Sequence, residues 1–103
     1  MKTSDSTGNF DERARTWDDD PMKTARAHAV AEAIRSRIPN LRGMSGFEYG
    51  CGTGLLSFAL QPDLGSITLA DSSPGMLEVL RDKIAAAGIG NMTPVQLDLS
   101  ADP

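Results

Sequence analysis

The sequence predicts an α/β fold, namely the βαβαβ half of a doubly wound parallel sheet preceded by one helix. Three short apolar runs of strand type alternate with two segments of helical periodicity. The stretch FEYGCGTG, residues 47–54, begins in the first of these runs and continues into a glycine-rich turn. Open α/β sheets bind their ligands at such turns, beyond the carboxyl ends of the strands.

Length and charge narrow the class of protein. A chain of 103 residues forms at most one domain. The net charge of −4 argues against a nucleic-acid partner, because such binding relies on neutralising phosphates. The polar start is not a secretory signal, and no run approaches the about 20 apolar residues needed to span a bilayer. We therefore expect a cytoplasmic protein with no nucleic-acid or membrane partner.

The N-terminal part divides into two segments. Residues 1–9 are polar and small and are predicted to be a disordered lead-in. Residues 10–40 form a leader with a helix over 22–38, which Pro39 ends. The acidic run 18–20 is expected to be a solvated segment before that helix. The predicted apolar stripe of the helix consists of Ala27, Val30, Ile34 and Ile38.

Residues 41–103 are predicted to form the sheet. We expect strands over 46–49, 66–71 and 94–99, with a short apolar helix over 54–60. Right-handed crossovers give the order 3-2-1 and place both helices on one face. Apolar and polar residues alternate along all three strands, which predicts one face packed by the helices and a more polar opposite face.

A second helix connects the last two strands. Ser73 is its predicted N-cap and Pro74 its first residue, and Gly88 ends it. The side chains expected to be buried are Met76, Leu77, Leu80, Ile84 and Ala87.

The spacing of the glycines distinguishes this turn from two known nucleotide-binding turns. Gly50, Gly52 and Gly54 form G-x-G-x-G, whereas the dinucleotide fingerprint is G-x-G-x-x-G. Leu55 occupies the position of the third fingerprint glycine, which disfavours an NAD-binding domain. A phosphate-binding P-loop is also excluded, because no Gly-Lys-Ser/Thr follows the turn.

Three acidic residues surround this turn. Asp71 ends the second strand, where a carboxylate can accept hydrogen bonds from both hydroxyls of a ribose; alternatively it caps the following helix. Asp98 ends the third strand at the same edge, and Glu48 precedes the turn. Three carboxylates suit a ligand with hydroxyl and amino donors and a positive charge, and they repel a pyrophosphate.

These residues resemble a known family. FEYGCGTG is similar to motif I of the class I S-adenosylmethionine-dependent methyltransferases, an acid followed by G-x-G-x-G. LADSSPGML resembles their next motif, and VQLDLS resembles the segment carrying the acid near the adenine. The leader FDERARTWDDDP resembles that of small-molecule methyltransferases of the ubiquinone/menaquinone-biosynthesis type. The resemblance covers about residues 10 to 100.

The resemblance implies a Rossmann-like domain with S-adenosylmethionine as cofactor and S-adenosylhomocysteine as product. It implies that the turn approaches the methionine part, that Glu48 orients its amino group and that Asp71 holds the ribose hydroxyls. Asp98 would accept from the exocyclic amine of adenine, and the Leu99 amide would reach a ring nitrogen. The residues implied to bind the cofactor are Glu48, Tyr49, Gly50, Cys51, Gly52, Asp71, Asp98 and Leu99, with Ser72 and Met76 beside the adenine.

Methyltransferases of this class have a seven-stranded sheet in the order 3-2-1-4-5-7-6, and this chain supplies the first three strands. We therefore expect a truncated fold: the cofactor-binding half of an enzyme that transfers a methyl group to a small-molecule acceptor by in-line displacement when complete. We expect the chain alone to be inactive or weak, and no residue is assigned as catalytic. The alternative is a non-catalytic S-adenosylmethionine-binding or self-assembling module, since the open edge of the first strand invites pairing.

Three further side chains have competing interpretations. His28 is expected to be a solvated helix residue rather than a general base. Trp17 either covers the cofactor near the methyl-transfer site or anchors the leader to the body, and both remain open. Cys51 is the single cysteine, so no intramolecular disulfide or zinc cluster is expected. Its place in the turn indicates a small packing residue rather than a nucleophile.

Overall fold

The structure, a computed structural model, describes the backbone of residues 6–100 and the side chains of residues 10–100. Three parallel strands form one sheet in the order β1-β2-β3, which confirms the predicted topology. None of the described helices is long and apolar enough to cross a membrane. The strands are β1 (Ser45–Tyr49), β2 (Ser66–Asp71) and β3 (Met92–Gln96), and the helices are α1 (Ser6–Arg13), α2 (Pro21–Arg37), α3 (Leu55–Leu60) and α4 (Pro74–Ala87).

The hydrophobic core lies between the sheet and the helices α3 and α4. Phe58 of α3 packs against the same buried cluster as Leu77 and Leu80 of α4, so both helices cover one face, as predicted. Full burial of each such side chain contributes roughly 1.5–3 kcal/mol to folding. The buried members of the cluster are Cys51, Ile67, Leu69, Leu77, Leu80 and Met92.

The face of the sheet away from the core is not the polar face that we expected, because it carries two aromatic side chains. Phe47 pairs with Thr68, and Tyr49 pairs with Ala70, so these aromatics lie on the face away from Ile67. Phe47 is 63% exposed and Tyr49 is 43% exposed. Each strand shows its own alternation, but the register between strands decides which face a residue joins, and a shift by one residue reverses it.

Strand β3 begins and ends two or three residues earlier than predicted, over 92–96 instead of 94–99. Met92 pairs with Ile67 and is part of the buried core, so the strand begins at Met92 rather than at residue 94. At the other end, the backbone N–H of Ser100 donates to Oδ1 of Asp98 (3.0 Å) in a turn that stops the extended chain. The Leu97 N–H donates to the Asp71 carbonyl at 3.0 Å, so the backbone of Leu97 faces β2. Because successive residues of a strand face alternate sides, Pro94, three residues earlier, faces away from β2. The N–H that proline lacks is therefore not needed for pairing with β2.

Helix α4 has the predicted ends. The Ser73 hydroxyl accepts from the Met76 N–H (3.1 Å), and Gly88 ends the helix in the left-handed conformation with φ 66°. Ala87, predicted to be buried, is exposed, and Ile84 is half-buried. The apolar pattern therefore extended one turn further than the part of the helix that packs on the sheet.

Helix α2 buries only part of the predicted stripe, of which Ala27 and Ile34 are half-buried. Ala31 is completely buried, while Val30 and Ile38 of the predicted stripe are 41% and 39% exposed. His28 is exposed, as expected. The small Ala31 side chain permits close helix contact, and the larger aliphatic residues border two surface cavities.

Arg35 fastens α2 to the body. Its Nε donates to Oδ2 of Asp63 at 2.7 Å, and a terminal nitrogen donates to the Ala59 carbonyl at 2.6 Å. Asp63 follows α3 directly, and Ala59 belongs to it. The guanidinium therefore satisfies carbonyl and carboxylate groups at the end of α3 and sets the position of α2 beside it.

The predicted lead-in over 1–9 is wrong for residues 6–9, which form the first half of α1; residues 1–5 lie outside the described residues. This helix is held by a tertiary contact. Oδ1 of Asp11 accepts from the Ser73 hydroxyl and from the Gly75 N–H, both at 2.5 Å. Asp11 thus satisfies the free N–H of Gly75 at the start of α4, where a negative charge is favourable. The polar composition of the segment hid this long-range partner.

We predict self-association through the outer edge of β1, which has no strand partner among the described residues. Pro94 blunts the outer edge of β3, whereas β1 contains no proline. Sedimentation velocity over a concentration series is expected to show a rising mean sedimentation coefficient. Phe47→Lys should abolish the rise, and Val95→Lys on β3 is the control that should keep it. A compact monomer at every concentration would contradict the prediction.

Candidate functional site

The glycine turn after β1 is held by the end of β2. Gly50, Gly52 and Gly54 have φ values of 72°, 58° and 85°, which favour glycine at each position. The N–H groups of Gly50 and Cys51 both donate to the Ala70 carbonyl, at 2.8 and 3.0 Å. The turn is therefore fixed against the carboxyl edge of the sheet.

The first and third glycines serve different purposes. A Cβ at Gly54 would lie 2.8 Å from Cδ1 of Leu80, so residue 54 must lack a side chain for the helices to pack. Gly54 thereby supplies the close packing that the third glycine supplies in the dinucleotide fingerprint. A Cβ at Gly50 would meet no atom within 4 Å. The space beside Gly50 is open for the approach of a ligand.

Asp71 bridges the turn and the start of α4. Its Oδ2 accepts from the Gly52 N–H at 2.7 Å, and its Oδ1 accepts from the Ser73 N–H at 2.9 Å. The residue is only 8% exposed. Because Ser73 is the N-cap of α4, the alternative role of Asp71 as the cap does not apply. Each carboxylate oxygen retains further acceptor capacity toward the adjoining cavity.

Asp71 borders a cavity of about 270 Å³, which we call the Asp71 cavity. Six of the ten residues predicted to bind the cofactor line it. Phe10 and Trp17 of the leader also line it. Its predicted lining residues are Tyr49, Gly50, Gly52, Asp71, Ser72 and Met76.

Trp17 also lines a second cavity of about 270 Å³, which we call the Glu48 cavity. The predicted residues Glu48 and Cys51 line it, together with residues of α2 and α3. Trp17 lines both cavities, so they adjoin at its side chain. Among the described residues, no group of His, Cys, Asp and Glu is arranged to hold a metal ion.

Glu48 is a partly buried acid. Burial raises the pKa of its carboxyl above the ordinary value of 4.5, and the nearby Asp71 raises it further. A hydrogen bond from the Ser57 hydroxyl to Oε1, 2.6 Å long, acts in the opposite direction and lowers it. Ser57 belongs to α3, so this hydrogen bond joins the end of β1 to that helix.

Cys51 is 7% exposed, and burial raises the pKa of its thiol to about 12, with Asp71 and Glu48 adding to the rise. A thiol with such a pKa is protonated at neutral pH and is a poor nucleophile. The structure therefore agrees with a packing role for this side chain.

Asp98 and Leu99 do not line the Asp71 cavity. Leu99 N–H donates to the Tyr49 hydroxyl at 3.1 Å, so the amide expected at an adenine nitrogen has a protein partner. The Ser100 hydroxyl donates to Asp98 at 2.6 Å. This hydrogen bond, and a second one from the Ser100 N–H, lower the pKa of Asp98. The roles implied for Asp98 and Leu99 remain predictions.

Two leader residues that cover the site are aromatic. The rings of Phe10 and Trp17 meet edge to face with centroids 5.8 Å apart. Lys23 Nζ lies 3.9 Å from the Trp17 ring centroid on another side. Phe10 and Lys23 belong to the leader, so these contacts fix Trp17 within the leader, and Trp17 also lines the Asp71 cavity. The two interpretations left open by the sequence both remain predictions.

A polar contact fastens the leader to the turn, and it was missed in the sequence. Asp18 accepts from the Thr53 hydroxyl, and Lys83 Nζ donates to Oδ2 of Asp18 at 2.7 Å and to the Thr53 carbonyl at 2.9 Å. The expectation of a solvated acidic run is thus wrong for Asp18. Asp18 and Lys83 are separated by 65 positions in the sequence, so no local pattern indicates this contact.

The fold and the glycine turn define a cofactor-binding α/β domain. A family model described as a methyltransferase domain matches residues 47–103, which is more than half of the chain. The chain belongs to this family of methyltransferase domains, and the predicted family is confirmed. No curated protein matches the chain.

Solved structures agree with this assignment. A candidate S-adenosyl-L-methionine-dependent methyltransferase from Methanococcus maripaludis is 28% identical, with a TM-score of 0.68 over 100% of this chain and 48% of that one. DhpI in complex with SAH is 26% identical, with a TM-score of 0.66 over 90% of this chain and 43% of that one. The chain therefore spans less than half the length of these proteins.

A third structure shows the fold alone. It is the complex between the Trm112 methyltransferase activator of Haloferax volcanii and a candidate methyltransferase. The identity is 24% and the TM-score is 0.71, over 99% of this chain and 43% of that one. The expected S-adenosylmethionine cofactor agrees with the family and with the ligand of the DhpI structure.

The raised pKa of Glu48 predicts a pH-dependent effect of Glu48→Gln. The folded chain binds this proton more tightly than the unfolded chain, so ionisation of Glu48 above its folded pKa reduces stability. The variant, which can still accept from Ser57, should unfold at a higher urea concentration at neutral pH. Its advantage should shrink as the pH falls toward 4.5. An advantage that is constant with pH would show that burial of the charge is not the cause.

The buried thiol of Cys51 predicts slow alkylation. Iodoacetamide at mildly alkaline pH should modify the folded chain at least about 10-fold more slowly than the urea-unfolded chain, because both burial and the raised pKa suppress the thiolate. Mass spectrometry over time measures both rates. Equal rates in the two states would overturn the packing role.

Proposed function

We propose that this chain is the S-adenosylmethionine-binding part of a methyltransferase that acts on a small-molecule acceptor. One observation carries the proposal: a G-x-G-x-G turn separates two adjoining cavities, and each of them contains one carboxylate. Asp71 lines the first cavity and Glu48 lines the second. A ligand with ribose hydroxyls at one end and an ammonium group at the other matches this arrangement.

The residues present fit this cofactor. Asp71 would hold the ribose hydroxyls, because its oxygens keep acceptor capacity beyond their two backbone bonds. Ser72 and Met76 would lie by the adenine, with Met76 offering an apolar surface. The open space beside Gly50 admits the chain of atoms between the nucleoside and the amino acid. Glu48 would accept hydrogen bonds from the ammonium group.

When bound, the cofactor supplies an electrophilic methyl group on a positively charged sulfur. The chain's own residues bind and orient it, and Phe10 and Trp17 exclude water from one side. The transfer would be an in-line displacement by the acceptor, in which the positive charge is lost. Positioning and exclusion of water supply much of such a rate enhancement, so no side chain of this chain is assigned a catalytic role.

A non-catalytic S-adenosylmethionine-binding or self-assembling module is the second candidate. The unpaired edge of β1 and the 63% exposure of Phe47 favour it. A methyl-transfer assay with radiolabelled S-adenosylmethionine and a panel of small-molecule acceptors distinguishes the two candidates. Transfer to any acceptor supports the enzyme and contradicts the non-catalytic module. Cofactor binding without transfer is expected of both candidates, because this chain alone is expected to be inactive or weak.

Titration calorimetry tests the proposed cofactor. S-adenosylhomocysteine should bind more tightly than NAD, because Glu48 and Asp71 repel a pyrophosphate. Asp71→Ala should weaken S-adenosylhomocysteine binding by roughly 10-fold or more, the loss expected for hydrogen bonds to a charged group. Asp82→Ala removes the same charge from an exposed position on α4 and is the matched control.

Two outcomes would refute the proposed cofactor. One is tighter binding of NAD than of S-adenosylhomocysteine. The other is unchanged affinity in Asp71→Ala. Circular dichroism of each variant should be recorded in parallel, because Asp71 also bridges the turn and α4. Asp71→Asn, which retains one oxygen acceptor, should give an intermediate affinity.

A further inference from the structure

Three residues from different parts of the chain form a closed polar contact between the leader, the glycine turn and α4. The Thr53 hydroxyl donates to Oδ1 of Asp18, and Lys83 Nζ donates to Oδ2 at 2.7 Å. The same Nζ donates to the Thr53 carbonyl at 2.9 Å. Thr53 is completely buried, and the side chains of Lys83 and Asp18 are 27% and 34% exposed. Solvent therefore screens this contact less than it screens an ion pair on the open surface.

The other polar links of the leader to α4 are weaker or lie elsewhere. Arg15 pairs with two acids of α4 at 3.3 Å, but these side chains are 61–66% exposed, and exposed ion pairs contribute little. Asp11 contacts the start of α4 from α1. The contact between Asp18 and Lys83 is therefore the one that fixes the leader beside the glycine turn.

This contact sets the position of Trp17 on the turn. Trp17 and Asp18 are neighbours in one short 3₁₀ helix, Ala14–Asp19, while Gly52 and Thr53 are neighbours in the turn. Nε1 of Trp17 lies 3.6 Å from the position that a Cβ of Gly52 would take. The indole therefore lies against the backbone of the turn, and it lines both cavities.

Lys83 is held by the body of the domain. Its Nζ lies 4.6 Å from the centre of the Phe58 ring of α3. It follows the completely buried Leu80 by three positions, which places the two residues on neighbouring parts of the α4 surface. The fold thus presents a cation in a defined position, and the leader docks on it through Asp18.

We propose that Lys83 is a positioning residue of the cofactor site, which holds Trp17 against the glycine turn through Asp18 and Thr53. Lys83 lines neither cavity, so it acts through the leader and not by contact with the ligand. Since coupling between two sites is reciprocal, a bound ligand in turn stabilises the docked leader. This inference rests on the proposed function, because it concerns the same ligand.

The fluorescence of Trp17, the single tryptophan of the chain, tests the position of the leader without any ligand. Lys83→Met removes the charge and keeps an unbranched side chain. It should shift the emission to longer wavelength and raise the acrylamide quenching constant, because the undocked indole meets solvent. Lys83→Arg should recover part of both changes. Arg81→Met removes a cation from an exposed position of the same helix and should change neither.

Titration calorimetry with S-adenosylhomocysteine tests the coupling to the site. Lys83→Met should weaken binding by about 5-fold or more, the lower limit of typical coupling between two sites. Asp18→Asn should weaken binding to a similar extent. The double variant should lose much less than the product of the two single losses, because both substitutions break the same contact. Arg81→Met should bind S-adenosylhomocysteine as the unmodified chain does.

Unchanged quenching or unchanged affinity in Lys83→Met would overturn the inference, and so would losses that multiply in the double variant. A lower urea midpoint by circular dichroism, with quenching and affinity both unchanged, would leave Lys83 a purely structural role. If the unmodified chain did not bind S-adenosylhomocysteine, the proposed function would be refuted. The quenching comparison would still show whether Lys83 holds the leader on the turn.

Discussion

The bridge made by the Asp71 carboxylate is the interaction on which the site depends. One oxygen accepts from the turn at Gly52 and the other from the start of α4 at Ser73. A single side chain at the end of β2 thereby aligns the loop after β1 with the helix after β2. The arrangement places a buried carboxylate beside the glycine turn at the carboxyl edge of the sheet, the edge at which open α/β sheets bind their ligands.

The leader is the second structural element of the site, and it is held by long-range polar contacts. Asp11 joins the N-terminal part of α4, and Asp18 joins Thr53 and Lys83. Both contacts are made by acids, in a segment whose composition alone indicates solvent exposure. The same contacts bring Phe10 and Trp17 over the glycine turn, so the walls of the two cavities are built from residues distant in sequence.

The features of the fold that local sequence patterns determine were predicted from the sequence. The order of elements, the Ser73 cap, the Gly88 end of α4 and the strand order followed from capping residues, periodicity and crossover handedness. Strand faces were not predictable, because the register that placed Phe47 opposite Thr68 depends on two strands at once. The predictions that Val30 is buried and that residues 6–9 are disordered were wrong for the same reason, because tertiary packing partners determine the structure at both places.

The proline in β3 gives the sheet a direction in which it can grow. Pro94 removes a donor from the outer side of β3, so a further strand would meet an interrupted ladder there. The outer side of β1 carries no such interruption, and it lies next to the glycine turn. Any strand added to this domain would therefore extend the sheet on the ligand-binding side. Growth of the sheet would therefore take place beside the candidate site.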